Sequence, residues 1–393
     1  MKSQHNPSQF HDRSLTFRSH YLSFFVKPSD VKVFLTSLIL LATLPSATPS
    51  RLAQQTPIDT RPAKNLIIVT IDGVRWQEIF NGADEDLIND PKFTPDTSTI
   101  KALYWSDNKE QRRRQLMPFF WSVLAGKGQL YGNRQLNNKV NVANLYAFSY
   151  PGYNEIFTGT TDLLVSSNKK RYNSNINVLE YLESRDEFKG KVAAFTSWDV
   201  FPYILNEQRN GIPVNSGYEK VEGEHLSNGQ QLVNKVQEDV YHKSGTRYDQ
   251  LTFLAAREYL EEHRPRVLFL GLGETDEYAH SARYDMYLEH LNKADRLLAE
   301  LWHWVQTTPD YKDNTSIIIT TDHGRGYRDA KWASHHLFIR GSSQTWLAMM
   351  GPGVASLGEV KDEQQLYLQQ VAGMIAGLVG EEFEPGAKIA SRK

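Results

Sequence analysis

The strongest constraint on the fold comes from four short apolar runs, at 66–71, 192–196, 267–271 and 316–321, which are rich in β-branched residues and lack strict alternation. A strand with one wet face alternates apolar and polar residues, whereas a continuous apolar run belongs to a strand covered on both faces, as in a mostly parallel sheet between helical layers. Helical patterns over 248–263 and 283–305 separate later runs, so an α/β domain is predicted. In the second helix Tyr284, Tyr287, Leu288, Leu291, Ala294, Leu297, Leu298, Leu301 and Trp302 recur at three and four and form the predicted inward stripe. A strand over 345–350 and a helix over 362–379 complete the pattern.

The first sixty residues are different in kind. Lys27 and Lys32 precede an apolar run at 33–44, followed by small residues including Ser46, Ala47 and Ala53. This reads as a secretory signal and linker over 1–60, because a comfortable membrane span needs about 20 apolar residues. A periplasmic or extracellular location follows, and membrane attachment is expected only through an uncleaved signal. Residues 61–393 read as one catalytic domain with insertions near 84–110 and 203–247; the stretch 201–246 reads as a lid or rim loop. Oligomeric state is not legible.

Charge and cysteine content exclude several functions. Lys+Arg 44 against Asp+Glu 46 gives a net charge of -2, so no nucleic-acid docking is expected, since that is driven by clustered cations on phosphates. With Cys 0 there is no thiolate site, and any metal must be held by His, Asp, Glu or hydroxyl oxygen.

Acids and histidines fall at the ends of the apolar runs. Asp72 closes the first, Asp276 follows the third and Asp322 the fourth; His280 stands four residues after Asp276, His323 adjoins Asp322, and His335 follows. In an open α/β sheet the carboxyl ends of the strands share one crevice. Three Asp and three His there suit two divalent ions, since carboxylate oxygen and imidazole nitrogen are both good zinc ligands. Any one Asp alone reads as a turn or helix cap, but caps do not require histidine. Ser149 in Ser-Tyr-Pro-Gly-Tyr is the available nucleophile, useful if a metal activates its hydroxyl; taken alone, it reads as a helix cap. The elbow G-x-S-x-G of acyl hydrolases, the P-loop and H-E-x-x-H are absent.

In their order, Asp72-Gly73, Ser149 with Thr158-Gly159, Asp276-x-x-x-His280, Asp322-His323-Gly324 and His335 resemble the alkaline phosphatase superfamily, in particular its nucleotide pyrophosphatase/phosphodiesterase and sulfatase-like branch. The resemblance spans about 66 to 352. It implies a three-layer sandwich with a mostly parallel central sheet and helices on both faces. It also implies two metal ions, Zn2+ with Mn2+ as the alternative, one held by Asp276, His280 and His335 and the other by Asp72, Asp322, His323 and Ser149. Ser149 would attack a small-molecule phosphate ester to form a covalent phospho-enzyme, with Asn168, or else Asn173, donating a hydrogen bond to the transferred group. Sulfate esters and a non-catalytic metal-binding role are the alternatives. Where formylglycine sulfatases carry arginine, this chain has Tyr153, so no formylglycine is expected; no arginine adjoins the nucleophile, which tilts the expectation toward phosphate diesters. Arg75, Arg325 and Lys331 are read as structural or solvated charges, and His336 as a surface histidine.

Overall fold

The computed structural model describes residues 61–386, so the signal expected over 1–60 lies outside the described residues. The strands are β1 (Asn65–Ile71), β2 (Gly128–Tyr131), β3 (Asn138–Asn141), β4 (Val192–Thr196), β5 (Val214–Ser216), β6 (Val267–Leu272), β7 (Thr315–Thr320), β8 (Gln344–Thr345), β9 (Leu347–Met350), β10 (Gly358–Glu359) and β11 (Gln364–Tyr367). Eight of them form one sheet in the order β10-β2-β9-β7-β1-β6-β4-β5, and β11-β3-β8 form a small second sheet. The four predicted runs are β1, β4, β6 and β7, which lie side by side and pair in parallel.

Both faces of these strands are covered, which explains the lack of alternation. Ile67, Val69 and Ile71 of β1 join one apolar cluster with Leu268 and Leu270 of β6, and Leu66 and Ile68 join the other with Val267 and Phe269. The first cluster is closed by the helix Tyr284–Thr307 and the second by the helices Ser149–Thr158 and Val371–Leu378. This is the expected layered α/β sandwich. The helix stripe is buried as predicted except at its end, where Trp304 takes the core position and Trp302 is half-buried.

Three expectations need correction. The strand over 345–350 is split between the two sheets: Thr345 pairs with β3, whereas Leu347–Met350 runs antiparallel beside β7. The helix over 362–379 begins only at Val371, because Gln364–Tyr367 is drawn into parallel pairing with β3. The stretch 201–246 is not a loop: β5 extends the main sheet beside β4, and the helix Asn228–Asp239 packs on the helix Asp249–His263. Residues 84–110 likewise carry short helices, two of them packed on Tyr284–Thr307. No helix among the described residues is long and apolar enough to cross a membrane.

Candidate active site

Strand register brings the acids together. Ile71 is paired with Leu272 and Thr70 with Thr320, so Asp72, Gly273 and Thr321 leave the sheet at one level. The three connections converge on the carboxyl edge of the sheet, as the position of ligand crevices in open α/β sheets requires. Gly73 makes the turn with φ 64, and a Cβ there would stand 2.5 Å from Asp276 Oδ1. Only glycine satisfies both conditions.

Ser149 arrives from the opposite layer, as the first residue of the helix Ser149–Thr158. Phe148 is the N-cap and no side chain caps the end, so the cap expected of Ser149 is not made; its hydroxyl instead lies 3.2 Å from His323 Nε2. The helix approaches so closely that a Cβ on Gly152 would meet the Asp322 carbonyl oxygen at 2.2 Å. Ala147, just before the helix, is left-handed at φ 50 and turns its carbonyl oxygen to His335 Nδ1 at 2.8 Å. That contact leaves His335 Nε2 free of a proton and able to ligate.

All seven predicted metal-site residues converge. His323 Nε2 lies 3.3 Å from Asp322 Oδ2, 3.5 Å from Asp72 Oδ1 and 3.8 Å from Asp276 Oδ1. A second group forms beside it: His280 Nε2 is 3.2 Å from Asp276 Oδ2 and 3.0 Å from His335 Nε2. The rings of His323 and His335 stack at 3.7 Å. None of the three aspartates caps a helix. Asp72 Oδ2 accepts from the Tyr153 hydroxyl at 3.0 Å and Asp322 Oδ1 from the Gly73 amide at 3.1 Å, but Asp72 Oδ1 and Asp322 Oδ2 are buried with no hydrogen-bond donor. A buried carboxylate oxygen left bare is costly. Two such atoms pointing at one unprotonated imidazole nitrogen fit a divalent cation in both charge and ligand chemistry.

Electrostatics of the metal-free cluster agree with that fit. Burial, with Asp322 and Asp276 nearby, pushes the Asp72 carboxyl well above its ordinary range, and burial with Asp276 pushes Asp322 up to about 6. Burial drives His323 down to about 4 and, with His323 beside it, drives His335 well below the usual imidazole value. Burial would raise Asp276 too, but Arg325, His280 and His335 more than offset it and hold that carboxyl low. Because Asp322 has a raised folded pKa, its proton stabilises the metal-free fold below about pH 4, and that stability is lost as pH rises through 6. Denaturant unfolding of metal-free wild type and Asp322→Asn at pH 4 and pH 8 should show the wild type losing stability relative to the variant as pH rises. Equal pH dependence would contradict the buried-carboxylate account.

Above the cluster is a pocket of about 340 Å³ with Asp72, Ser149, Asp276 and His280 in its lining and Asn168, Trp198 and Thr246 around it. Asn168 Oδ1 accepts from the Tyr150 amide at 3.0 Å. Asn173, the other expected donor, is buried and bound to Asn154 and Asn175, away from this role. Arg75 is structural, paired with buried Glu78, and Lys331 is exposed. His336 is half-buried with its Nδ1 accepting from the Phe338 amide. Arg325 is more than the structural or solvated charge expected of it: it is buried and its NH1 donates to Asp276 Oδ1 at 2.8 Å. Tyr153, as a partner of Asp72, and Trp198, in the pocket, are not foreseen either. Spacing along the chain offers no sign of either, since one reaches Asp72 across layers and the other enters the pocket through the turn after β4.

The match to known proteins follows this geometry. Residues 188–337 match the Metalloenzyme superfamily model; the matched stretch carries Asp276, His280, Asp322, His323 and His335, while Asp72 and Ser149 precede it. No curated protein matches the chain. Among solved structures, the wild-type alkaline phosphatase PafA is similar at 11% identity and TM-score 0.54, covering 82% of this chain and 97% of that one. The lipoteichoic acid synthase LtaP from Listeria monocytogenes is similar at 12% identity and TM-score 0.51, covering 85% of this chain and 76% of that one. The phosphonate monoester hydrolase SpPMH from Silicibacter pomeroyi is similar at 13% identity and TM-score 0.50, covering 81% and 74%. The chain therefore shares the fold of these structures, an alkaline phosphatase among them, and its residues 188–337 match the metalloenzyme superfamily.

Proposed function

We propose that this chain hydrolyses phosphate esters, diesters before monoesters, with Ser149 as nucleophile and two divalent cations, most simply Zn2+, as cofactors. The observation that carries this reading is the pair of bare, buried oxygens, Asp72 Oδ1 and Asp322 Oδ2, set beside His323 Nε2 and the Ser149 hydroxyl. Asp72, Asp322, His323 and Ser149 would hold one ion, and Asp276, His280 and His335 the other. Ions bound there supply Lewis-acid stabilisation of attacking and leaving oxygens at once.

The protein's own groups do the rest. Ser149 is fixed by a helix that Gly152 allows against Asp322, so its Oγ is presented without being spent on capping. Its oxygen forms the new bond to phosphorus as the bond to the leaving alcohol breaks, and the hydroxyl proton ends on that alcohol. Water then cleaves the phosphoserine, releasing the phosphate product and restoring Ser149. Asn168, tied to the Tyr150 amide through Oδ1, has its side-chain NH2 left to donate to a non-bridging oxygen. Among the described residues no Lys or Arg lines the pocket, which favours a singly charged diester over a dianionic monoester. Sulfate esters, also singly charged, are the second reading; against it, Tyr153 at the sulfatase arginine position is spent on Asp72. A serine acyl hydrolase is disfavoured because His323 Nδ1 faces the Gly324 carbonyl at 3.0 Å, where a triad needs a carboxylate. A secretory signal, expected within residues 1–60, would direct this activity to the periplasm or the outside of the cell.

The test compares bis-nitrophenyl phosphate, nitrophenyl phosphate and nitrophenyl sulfate, with Zn2+ or Mn2+ supplied and after chelation. The diester should be cleaved fastest, and chelator should remove at least about 99% of the rate. Hydrolysis indifferent to chelator would sink the proposal, and bound metal without turnover of any ester would mark a binding protein.

A further inference from the structure

Arg325 stands two residues beyond His323 and is 1% exposed. Its NH1 donates to Asp276 Oδ1 at 2.8 Å, and its NH2 reaches the Asp276 carbonyl at 3.4 Å and the Ala333 carbonyl at 3.3 Å. One guanidinium thus ties the strand end bearing Asp322 and His323 to the helix bearing Asp276 and His280 and to the segment leading into His335. The Nε atom of the same side chain is buried without a partner, so this arginine is held in place at a cost that ordinary surface pairing does not carry.

The consequence is a difference in charge between the two ligand groups. Asp72 and Asp322 bring two carboxylates to His323, and among the described residues no Lys or Arg pairs with either. Asp276 is the single carboxylate of the other group, and its Oδ1 is already taken by a cation that cannot be deprotonated. Only Oδ2 is turned toward His280. A divalent ion on that oxygen would sit within a few ångströms of a fixed positive charge, in surroundings where such repulsion is weakly screened.

We propose that Arg325 is a positioning residue that makes the two cation sites unequal: it holds Asp276 to one-oxygen ligation and weakens the Asp276–His280–His335 site, so that the Asp72–Asp322–His323 site fills first. This rests on the two-metal reading above. The second ion is therefore the exchangeable one, and occupancy of its site sets how much enzyme is competent at a given Zn2+ concentration.

The experiment is a titration of the metal-free full chain with Zn2+. At one equivalent, X-ray absorption should count one imidazole on the ion, from His323; two imidazoles would mean that the His280–His335 site fills first and would overturn the proposal. Wild type should bind two ions in steps separated by more than about tenfold, since a unit charge a few ångströms from a divalent ion is worth at least that at intermediate dielectric. Arg325→Gln should narrow the gap by about tenfold or more through tighter binding of the second ion, whereas Arg325→Lys, which keeps the charge, should leave it within about threefold of wild type. An unchanged gap in the glutamine variant, or a second ion bound more weakly, would overturn the proposal. Two equal steps in wild type would sink it while leaving the two-metal reading intact; no Zn2+ bound at all would sink both.

Discussion

Replacing Ser149 with alanine is expected to lower kcat toward bis-nitrophenyl phosphate by at least about a thousandfold, because the proposed covalent intermediate forms on its Oγ. The structural side effects should be small. Ser149 is the first residue of its helix but not its cap, and among the described residues its hydroxyl is hydrogen-bonded to His323 Nε2 at 3.2 Å. Unfolding stability should therefore stay within about 1 kcal/mol of wild type, and both Zn2+ ions should still bind, since six other side chains ligate them in the proposed arrangement. Kinetics, metal content and thermal melting on the same preparation separate these effects. A variant within tenfold of wild type would remove Ser149 from the mechanism, and a variant that had lost its metal would make the serine a structural ligand first.

His323→Ala should be the most damaging single change. This imidazole is fully buried and its Nε2 lies within 3.8 Å of Asp72, Asp276, Asp322 and, through its hydrogen bond, Ser149. Its loss leaves three carboxylates facing a cavity with one ligand fewer. Turnover should fall at least about a thousandfold, and one of two Zn2+ ions should be lost at micromolar concentrations. The cavity and the loss of the ring stacked on His335 should cost the metal-free fold about 2–4 kcal/mol. His336→Ala is the control: that ring packs on exposed Phe338 and takes no part in the cluster, so rate and metal content should stay within about threefold. Equal behaviour of the two variants would dissolve the proposed metal centre.

Much of this site is legible in the linear chain because two physical rules act locally. A strand covered on both faces must be apolar throughout, so β1, β4, β6 and β7 stand out from the chain to within a residue or two. Groups that act on a ligand must then sit where such strands end, so Asp72 and Asp322 are found by looking one or two residues past the strand end, and His280 one helical turn after Asp276. Local rules fail wherever pairing partners are distant. Gln364–Tyr367 has no pattern that forbids helix; it is a strand because β3 lies beside it. The run at 345–350 is one segment in sequence and two strands in space, because each half meets a different sheet.

The amino-acid sequence by itself determined the layered α/β class, the absence of thiolate chemistry and the set of acids, histidines and serine that could act, because these depend on residue type and short-range period. Tertiary structure decided which oxygens of those acids are bare, that Ser149 faces His323 rather than its own helix, that Tyr153 steadies Asp72, and that Arg325 claims one oxygen of Asp276. Those facts depend on distances between residues up to 249 positions apart, and only packing of the two layers against the sheet's carboxyl edge sets them.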